Sequence, residues 1–374
     1  MSLKQILAIN PGSTSTKIAV YANSKVIFLK SIAHSHEQLS RYEKITDQYE
    51  FRKNIILDEL THAQIEIDKI EAVVGRGGLI RPIKSGIYVI NERMKNDLRE
   101  GILGEHASNL GGLIADDIAK SLPNAKAYIA DPVVVDELEP VARIAGHPKF
   151  NRISIFHALN QKATARSYAR LLNTKYVELN LIIAHMGGGI SIGAHRKGRV
   201  IDVNNALDGE GPFSPERSGT LPVGQLIKMC FSEEHTMEEI RKMVIGEGGL
   251  MAYFGTNSAY QIELMALDGD DNARLIQDAM SYQVAKDIGA MATVLNGEVD
   301  AIILTGGIAN NPMVVEYIKK MVTYIAPVII YPGEDEMHAL AMNGLMVLKG
   351  EVDPKEYCEE NMVGNSHPPD MNFK

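Results

Sequence analysis

The chain has 374 residues, more than one hydrophobic core usually serves, so two domains are expected. Its 38 basic and 47 acidic side chains leave a net charge of −9, which argues against a nucleic-acid polymer as partner. At 45% hydrophobic and 23% charged, the composition excludes a disordered chain.

Cys230 and Cys358 are too few for a disulfide framework or a four-ligand zinc site. Together with an N-terminus that lacks a signal-peptide apolar region, and with no apolar run long enough to span a membrane, this points to a cytoplasmic protein. Glycine is over-used, at 32 of 374 residues against an average of about 7%, and part of the excess falls at Gly12, Gly75–Gly78, Gly187–Gly189 and Gly306–Gly307, turns where backbone is expected to approach a ligand.

Short apolar runs bounded by turn residues predict buried strands at Ile6–Ile9, Ala72–Val74, Ala127–Ile129, Leu181–Ala184, Ala301–Leu304 and Val328–Tyr331. Between them, amphipathic stretches predict helices at Leu110–Ser121, Lys162–Leu172, Arg274–Leu295, Pro312–Met321 and Glu336–Leu348. Pro312 suits a first helical turn, where its missing N–H is no loss. Segments 31–50, 205–222 and 246–262 follow neither pattern. The alternation of strand and helix places the chain in the α/β class.

The chain also resembles itself. Residues 18–28 match 192–202 as strand, tight turn and strand, the pattern of a β-hairpin. Glu71-Ala-Val-Val-Gly-Arg-Gly-Gly78 likewise matches Asp300-Ala-Ile-Ile-Leu-Thr-Gly-Gly307. Two repeated elements in the same order imply two copies of one unit.

The chemistry-bearing candidates cluster at the ends of these strands. In Asn10-Pro-Gly-Ser-Thr-Ser-Thr-Lys17, a turn at Gly12 gathers hydroxyls from Ser13 and Ser15, free backbone N–H groups and the Lys17 ammonium into a nest for phosphate oxygens. An ordinary hairpin loop rich in Ser and Thr is the commoner reading of that composition. At the equivalent point of the second unit, Met186-Gly-Gly-Gly-Ile-Ser191 lets the backbone come close to a ligand at Gly187, Gly188 and Gly189. The junction Leu304-Thr-Gly-Gly-Ile-Ala-Asn-Asn-Pro312 suits a nucleotide through Gly306, Gly307 and Asn310, or is a plain packing turn. Neither Gly-x-x-x-x-Gly-Lys-Ser/Thr nor Gly-x-Gly-x-x-Gly occurs, which disfavours Walker and Rossmann phosphate sites.

These residues resemble those of the acetate and butyrate kinases. Asn10-x-Gly-Ser-Thr-Ser-x-Lys17 is similar to that family's N-terminal signature. The likeness continues through Gly75-Arg-Gly-Gly78, Tyr128-Ile-Ala-Asp-Pro132, Ile155-Phe-His-Ala-Leu-Asn-Gln-Lys162, Ala184-His-Met-Gly-Gly-Gly189, Pro215-Glu-Arg-Ser-Gly219, Thr305-Gly-Gly-Ile-Ala-Asn310 and Gly333-Glu-Asp-Glu336. Acetate kinases have a second histidine where this chain has Gln161, and His-Leu-Gly-Asn-Gly where it has His185-Met-Gly-Gly-Gly189. The short chain and its N-terminal motif look like the butyrate kinase branch. Gly255-Thr-Asn-Ser-Ala-Tyr260 departs from that branch too, where an Asp after the Asn and an Arg in place of Tyr260 are expected.

The resemblance implies duplicated ribonuclease H-like domains of the actin, Hsp70 and sugar kinase superfamily, with mixed sheets flanked by helices. Residues 1–135 with 337–357 would form one domain and 136–336 the other, with catalysis in the cleft between them and 358–374 as an unstructured tail. It also implies reversible transfer of the ATP γ-phosphoryl group to a short-chain carboxylate, butyrate, giving ADP and an acyl phosphate, by a homodimer or higher oligomer. Acetate, propionate or branched acids are the alternative substrates, and a non-catalytic ATP-binding protein is the reading from another class.

By the same resemblance Arg76 would hold the carboxylate and Arg217 the oxygens of the transferring group, as bidentate guanidinium chemistry allows. Otherwise Arg76 is an arginine beside a turn and Arg217 a solvated loop charge next to Glu216. His157 and His185 would contact the phosphoryl group, although a lone His after an apolar run is more often a core residue. Asp131 would orient substrate or water around Mg²⁺, or else cap a helix before Pro132. Asn10 and Glu336 would serve the metal, directly or through water, with Glu334 and Asp335 adjacent to the latter.

Overall fold

The computed structural model describes residues 3–363. It divides into two compact units, one running to Asp136 and resuming at Asp335, the other from Glu137 to Glu334.

In the first unit β1 (Gln5–Pro11), β2 (Ser15–Ala22) and β3 (Lys25–Ala33) form an antiparallel meander. On the other side of β1, β4 (Ile70–Arg76) and β6 (Lys126–Ala130) run parallel to it, and β5 (Ile87–Val89) pairs antiparallel with β6. A two-residue strand, Lys355–Glu356, closes the edge beside β5. Ile6, Leu7, Ala8 and Ile9 are all fully buried, because helices cover both faces of the sheet. The helix Glu336–Leu348 lies on one face, its Gly344 beside Val74 and Ile6. Asn109–Lys120 lies on the other and carries Leu110, Ile114 and Ile118 into the core around Leu7, Ile9 and Val73.

In the second unit β7 (Asn180–Met186), β8 (Ile190–Arg196) and β9 (Arg199–Val203) form the meander, with β10 (Ala301–Gly306) and β11 (Val328–Pro332) parallel to β7. The helix Asp271–Val294 buries Met280, Val284 and Ile288 against Ile182, Ala184 and Ile192. Ala158–Leu171 buries Ala165 and Tyr168 against Leu181, Ile183 and Ile303, on residues of opposite parity along β7. Pro312–Val322 starts at Pro312 and is capped by Asn311, whose Oδ1 accepts from the Met313 and Val314 amides.

The duplication expected from the repeats is present in the topology. The strand order β3-β2-β1-β4-β6 of the first unit recurs as β9-β8-β7-β10-β11 in the second. It extends to irregularities: the meander register shifts between Val20 and Tyr21 in one unit and between Ala194 and His195 in the other. These positions correspond in the 18–28 and 192–202 repeat, and so do the left-handed turn residues Asn23 and Lys197. A bulge adds twist to a hairpin, so both copies have the same local twist device.

All six expected strands and all five expected helices are present, and Glu336–Leu348 has the expected limits. Several helices add to them. Tyr49–His62 escapes a periodicity reading because its inward stripe is Arg52, Ile56 and Leu60, with a charged residue in an apolar position. Segment 246–262 contains the helix Leu250–Phe254 and the start of Ala259–Leu267. The tail expectation is corrected in part: Glu359–Asn361 form a helical turn, and Val363 N donates to Pro82 O at 2.9 Å. The remainder of that tail, 364–374, lies outside the described residues. No helix among the described residues is long and apolar enough to cross a membrane.

Part of the glycine excess has a different cause from the one expected. A Cβ on Gly75 would stand 2.1 Å from Gly111 O, one on Gly77 2.5 Å from Pro132 Cβ, and one on Gly78 2.4 Å from Asn109 Oδ1. Gly75 and Gly78 admit a closely packed helix start, and Gly77 the close approach of Pro132 after β6. Gly75→Ala is therefore expected to cost about 1–3 kcal/mol, as overpacking of a close-packed interior does. Equilibrium urea unfolding measures it, and a change under about 0.5 kcal/mol would mean that the helix yields freely.

Candidate active site

In the first unit Asn10, Arg76 and Asp131 stand at or just beyond the carboxyl ends of β1, β4 and β6, three neighbouring parallel strands. This is the edge at which open α/β sheets bind ligands. Arg76 reaches Glu336 Oε1 at 2.8 Å and Asn10 Oδ1 at 3.3 Å, and Asn10 Nδ2 donates to Glu336 Oε2. Asn10, Arg76 and Glu336 thus form one cluster, although Glu336 is 326 residues from Asn10. Asp335 instead caps its helix by accepting from His338 N at 2.9 Å, so of these two neighbours only Glu336 turns to the cluster.

Asp131 is buried, and its Oδ1 accepts from Ser85 Oγ at 2.6 Å and Gly86 N at 2.9 Å. Its φ of 36° is in the left-handed region, unusual for a residue with a Cβ. Strain of this kind is retained where the surroundings enforce it.

The Gly12 turn closes through Gly12 N to Ser15 O at 2.7 Å. It rests on a side chain that sequence reasoning missed. Arg52, 1% exposed, donates from Nη1 to Gly12 O (2.7 Å), Ser15 O (3.1 Å) and Thr16 Oγ1 (3.1 Å), and from Nη2 to Ser13 O (3.1 Å). Gln48 Oε1 accepts from Nη2 at 2.8 Å. With its carbonyls tied from below, the turn leaves Ser13 exposed. Lys17 faces Asn10 in the β1–β2 register, and among the described residues its exposed side chain makes no ion pair, so it lies outside the Asn10–Arg76–Glu336 cluster. Burial lowers the Arg52 guanidinium to about 10, which leaves it charged at neutral pH.

In the second unit the loop Gly187–Gly189 ends β7, and Gly187 N donates to Gly189 O at 3.0 Å. The Arg217 guanidinium packs directly on it: a Cβ on Gly189 would be 1.9 Å from Arg217 Nη1. Arg217 also donates to Ala206 O, and its neighbour Ser214 Oγ donates to Gly188 O at 2.7 Å. Burial lowers the Arg217 pKa, with Glu216 acting in the opposite sense. His157 and His185 stack with ring centroids 4.2 Å apart. His185 Nε2 is 3.5 Å from Glu334 Oε2, while its buried Nδ1 has no hydrogen-bond partner among the described residues. A buried polar atom of this sort calls for a water or a ligand.

A cavity of about 380 Å³ opens beside these groups, lined by Gly187, Gly188, Asn257, Tyr260, Gly307 and Asn310 among others. The two sequence-predicted nucleotide elements of this unit, through Gly187, Gly188, Gly307 and Asn310, therefore share one pocket with the 255–260 loop. Asn257 Nδ2 donates to Glu216 Oε1 at 2.5 Å and ties that loop to the arginine segment. Gly306, with φ of 89°, sits where a Cβ would be 2.2 Å from Met186 O, so β7 and β10 end in close contact. Gly307 meets nothing within 4 Å and faces open space.

Mg²⁺ usually takes one or two carboxylates and completes its shell with phosphate oxygens and water. The Asn10 amide and the Glu336 carboxylate, in contact, fit that donor set. Among the described residues no group of three or more His, Cys, Asp and Glu could hold an ion alone. The ion would therefore depend on oxygens brought by the substrate.

Thr16 Oγ1 lies 2.8 Å from His34 Nε2, just below the Gly12 turn. Burial, aided by the Arg52 charge, lowers His34 to about 4 from an ordinary 6.5. Between those values the unfolded chain binds a proton that the folded one does not, so stability falls as pH drops from 6.5 to 4. The slope from this group is at most ~1.4 kcal/mol per pH unit. Urea unfolding at pH 7 and pH 4.5 is expected to lose part of that difference in His34→Gln; an unchanged difference would show that His34 does not titrate this way.

Residues 151–326 match the Acetokinase family. Three solved structures superpose over most of the chain. Acetate kinase of Porphyromonas gingivalis is 19% identical, covers 92% of this chain and 100% of its own, and has a TM-score of 0.75. A propionate kinase from Francisella tularensis is 19% identical over 91% and 99%, at 0.71. Acetate kinase from Entamoeba histolytica is 18% identical over 93% and 99%, at 0.70. The family match covers His157, His185, the Gly187–Gly189 loop, Arg217 and Gly306, whereas Asn10, Arg76, Asp131 and Glu336 lie beyond it. The chain thus has the duplicated α/β fold seen in these acetate and propionate kinases, and its residues 151–326 match the Acetokinase family.

Proposed function

We propose that this protein transfers the γ-phosphoryl group of ATP reversibly to a short-chain carboxylic acid, butyrate, forming an acyl phosphate and ADP. The observation that carries the reading is the acetokinase match falling on the stacked histidines, the glycine loop and the arginine packed upon it. The resemblance of the Asn10–Lys17 motif to the butyrate kinases supports the choice of acid. The acetate and propionate kinases among the structural neighbours support acids of two or three carbons, the second reading.

A carboxylate is ionised at neutral pH and needs no general base, so catalysis consists of positioning and charge neutralisation. One carboxylate oxygen attacks the γ-phosphorus, the bond to the β–γ bridging oxygen breaks, and ADP leaves with that electron pair. Arg76 holds the acid, taking up the carboxylate-facing geometry it already has toward Glu336. Arg217, fixed against Gly189 by backbone contacts, neutralises charge on the transferring oxygens without reorganising. His157 and His185 donate to the same oxygens, and the pocket at Gly187, Gly307 and Asn310 takes the nucleotide. Asn10 and Glu336 would hold Mg²⁺, which neutralises β- and γ-phosphate charge when bound. We propose a soluble cytoplasmic enzyme that works as a homodimer or higher oligomer.

Hydroxamate trapping with ATP, Mg²⁺ and acids of two to five carbons tests the reaction. Product with butyrate favoured is expected; none with any acid would reject the kinase, and acetate preferred would reject butyrate alone. Arg76→Ala is expected to raise KM for the acid far more than KM for ATP, and equal rises would reassign Arg76. Arg217→Ala should cost about 10³-fold or more in kcat, as loss of a transition-state arginine does; a loss below tenfold would remove it from that role.

A further inference from the structure

Behind His157 the second unit contains one continuous line of hydrogen-bonded side chains. Tyr176 Oη is 2.6 Å from His195 Nδ1, and His195 Nε2 is 2.8 Å from Gln161 Oε1. Gln161 Nε2 is 2.9 Å from Ser191 Oγ, which is 2.8 Å from His157 Nδ1. Gln161, Ser191 and His195 are fully buried. Gln161 and His195 are 34 residues apart in sequence, and Gln161 occupies the place of the second histidine in the acetate kinase pattern.

The direction of every proton in this line follows from its one unambiguous acceptor. Gln161 Nε2 also lies 3.1 Å from the Ser191 carbonyl oxygen, which can only accept. The amide nitrogen is therefore on that side, and Oε1 faces His195. His195 must then donate from Nε2 and accept the Tyr176 hydroxyl proton at Nδ1, which is the neutral imidazole. Burial and the nearby Lys162 charge both hold His195 well below its usual pKa, in agreement. Ser191 Oγ accepts from the Gln161 amide and, at 3.4 Å, from the His157 backbone N–H; with both lone pairs so taken, it gives its only proton to His157 Nδ1. A neutral His157 that accepts at Nδ1 has its own proton on Nε2. The space for this arrangement is provided by Gly193, where a Cβ would come within 2.6 Å of Gln161 Oε1.

We propose that Gln161, His195 and Tyr176 are positioning residues that act through Ser191 to hold His157 as its Nε2–H tautomer. Resting on the carboxylate kinase reading, the consequence is a histidine that offers an N–H, not a lone pair, to the oxygens of the transferring phosphoryl group. A neutral donor fixed in advance stabilises developing charge without a proton transfer. Tautomer choice enforced by a buried partner is the role the aspartate plays in the serine protease triad.

NMR of the ¹⁵N-histidine-labelled protein tests this, the His157 signals being identified by their loss in His157→Gln. A pyrrole-type Nε2 and a pyridine-type Nδ1 are expected for His157, and Ser191→Ala and Gln161→Leu should shift both nitrogens toward the averaged pattern of mixed tautomers. A pyrrole-type Nδ1 in the unmutated protein would overturn the proposal outright, even if neither variant folds. An unchanged pattern in folded Gln161→Leu would overturn the part assigned to Gln161. In the hydroxamate assay Ser191→Ala should lower kcat roughly tenfold or more with the acid KM unchanged, and Ser191→Thr should restore it. If no acid is phosphorylated while the tautomer is as expected, the kinase reading fails and the relay stands.

Discussion

Both units obey one constraint: an antiparallel meander shares its first strand with a parallel neighbour. The chain leaving β1 or β7 must reverse at once into the next strand, while β4 or β10 ends alongside it. Sharp reversals and free strand ends therefore fall on the same edge of each sheet. Much of the proposed site stands on that edge. Asn10, Arg76 and Asp131 are there because β1, β4 and β6 end there, and His185, Gly187 and Gly306 because β7 and β10 do.

Holding such reversals still requires polar groups under them, where water cannot serve. Arg52 does this in the first unit, binding three loop carbonyls with a charge that is itself almost entirely buried. In the second unit a buried cation serves a different turn: Lys162, 1% exposed, reaches Glu137 Oε2 at 2.7 Å and Gly198 O, between β8 and β9, at 3.2 Å, and its ammonium lies over the Tyr176 ring. Burying a charge is costly unless it is fully bonded, so each site is tolerable only as a complete network. Such networks specify one loop conformation, where a purely apolar underside would allow several.

How much of this is legible in the sequence depends on whether a residue acts locally. The strands and most helices are, because a run of Ile, Leu and Val between turn residues has one plausible fate. The strand-end loops are too, because Asn10-Pro-Gly-Ser-Thr and Met186-Gly-Gly-Gly have no good use inside an element. Arg52 is not: one arginine within a helix looks like a solvated charge until the loop above it is known. The Gln161–His195 bond is not either, since pairing across 34 residues leaves no local mark. Gly75, Gly77 and Gly78 show the opposite error, where a glycine cluster suggests a ligand and its cause is close packing on the helix start at Asn109 and on Pro132.

Asp131 combines two demands that are usually separate. Its carboxylate is engaged by Ser85 and Gly86, and its backbone is in a region that only glycine, asparagine and aspartate enter readily. Glycine would relax the backbone but has no acid, and glutamate would keep the acid but resist the turn. Asparagine meets the backbone demand and forfeits the charge. The position therefore has an alphabet of nearly one letter, narrowed by stereochemistry before any substrate is considered.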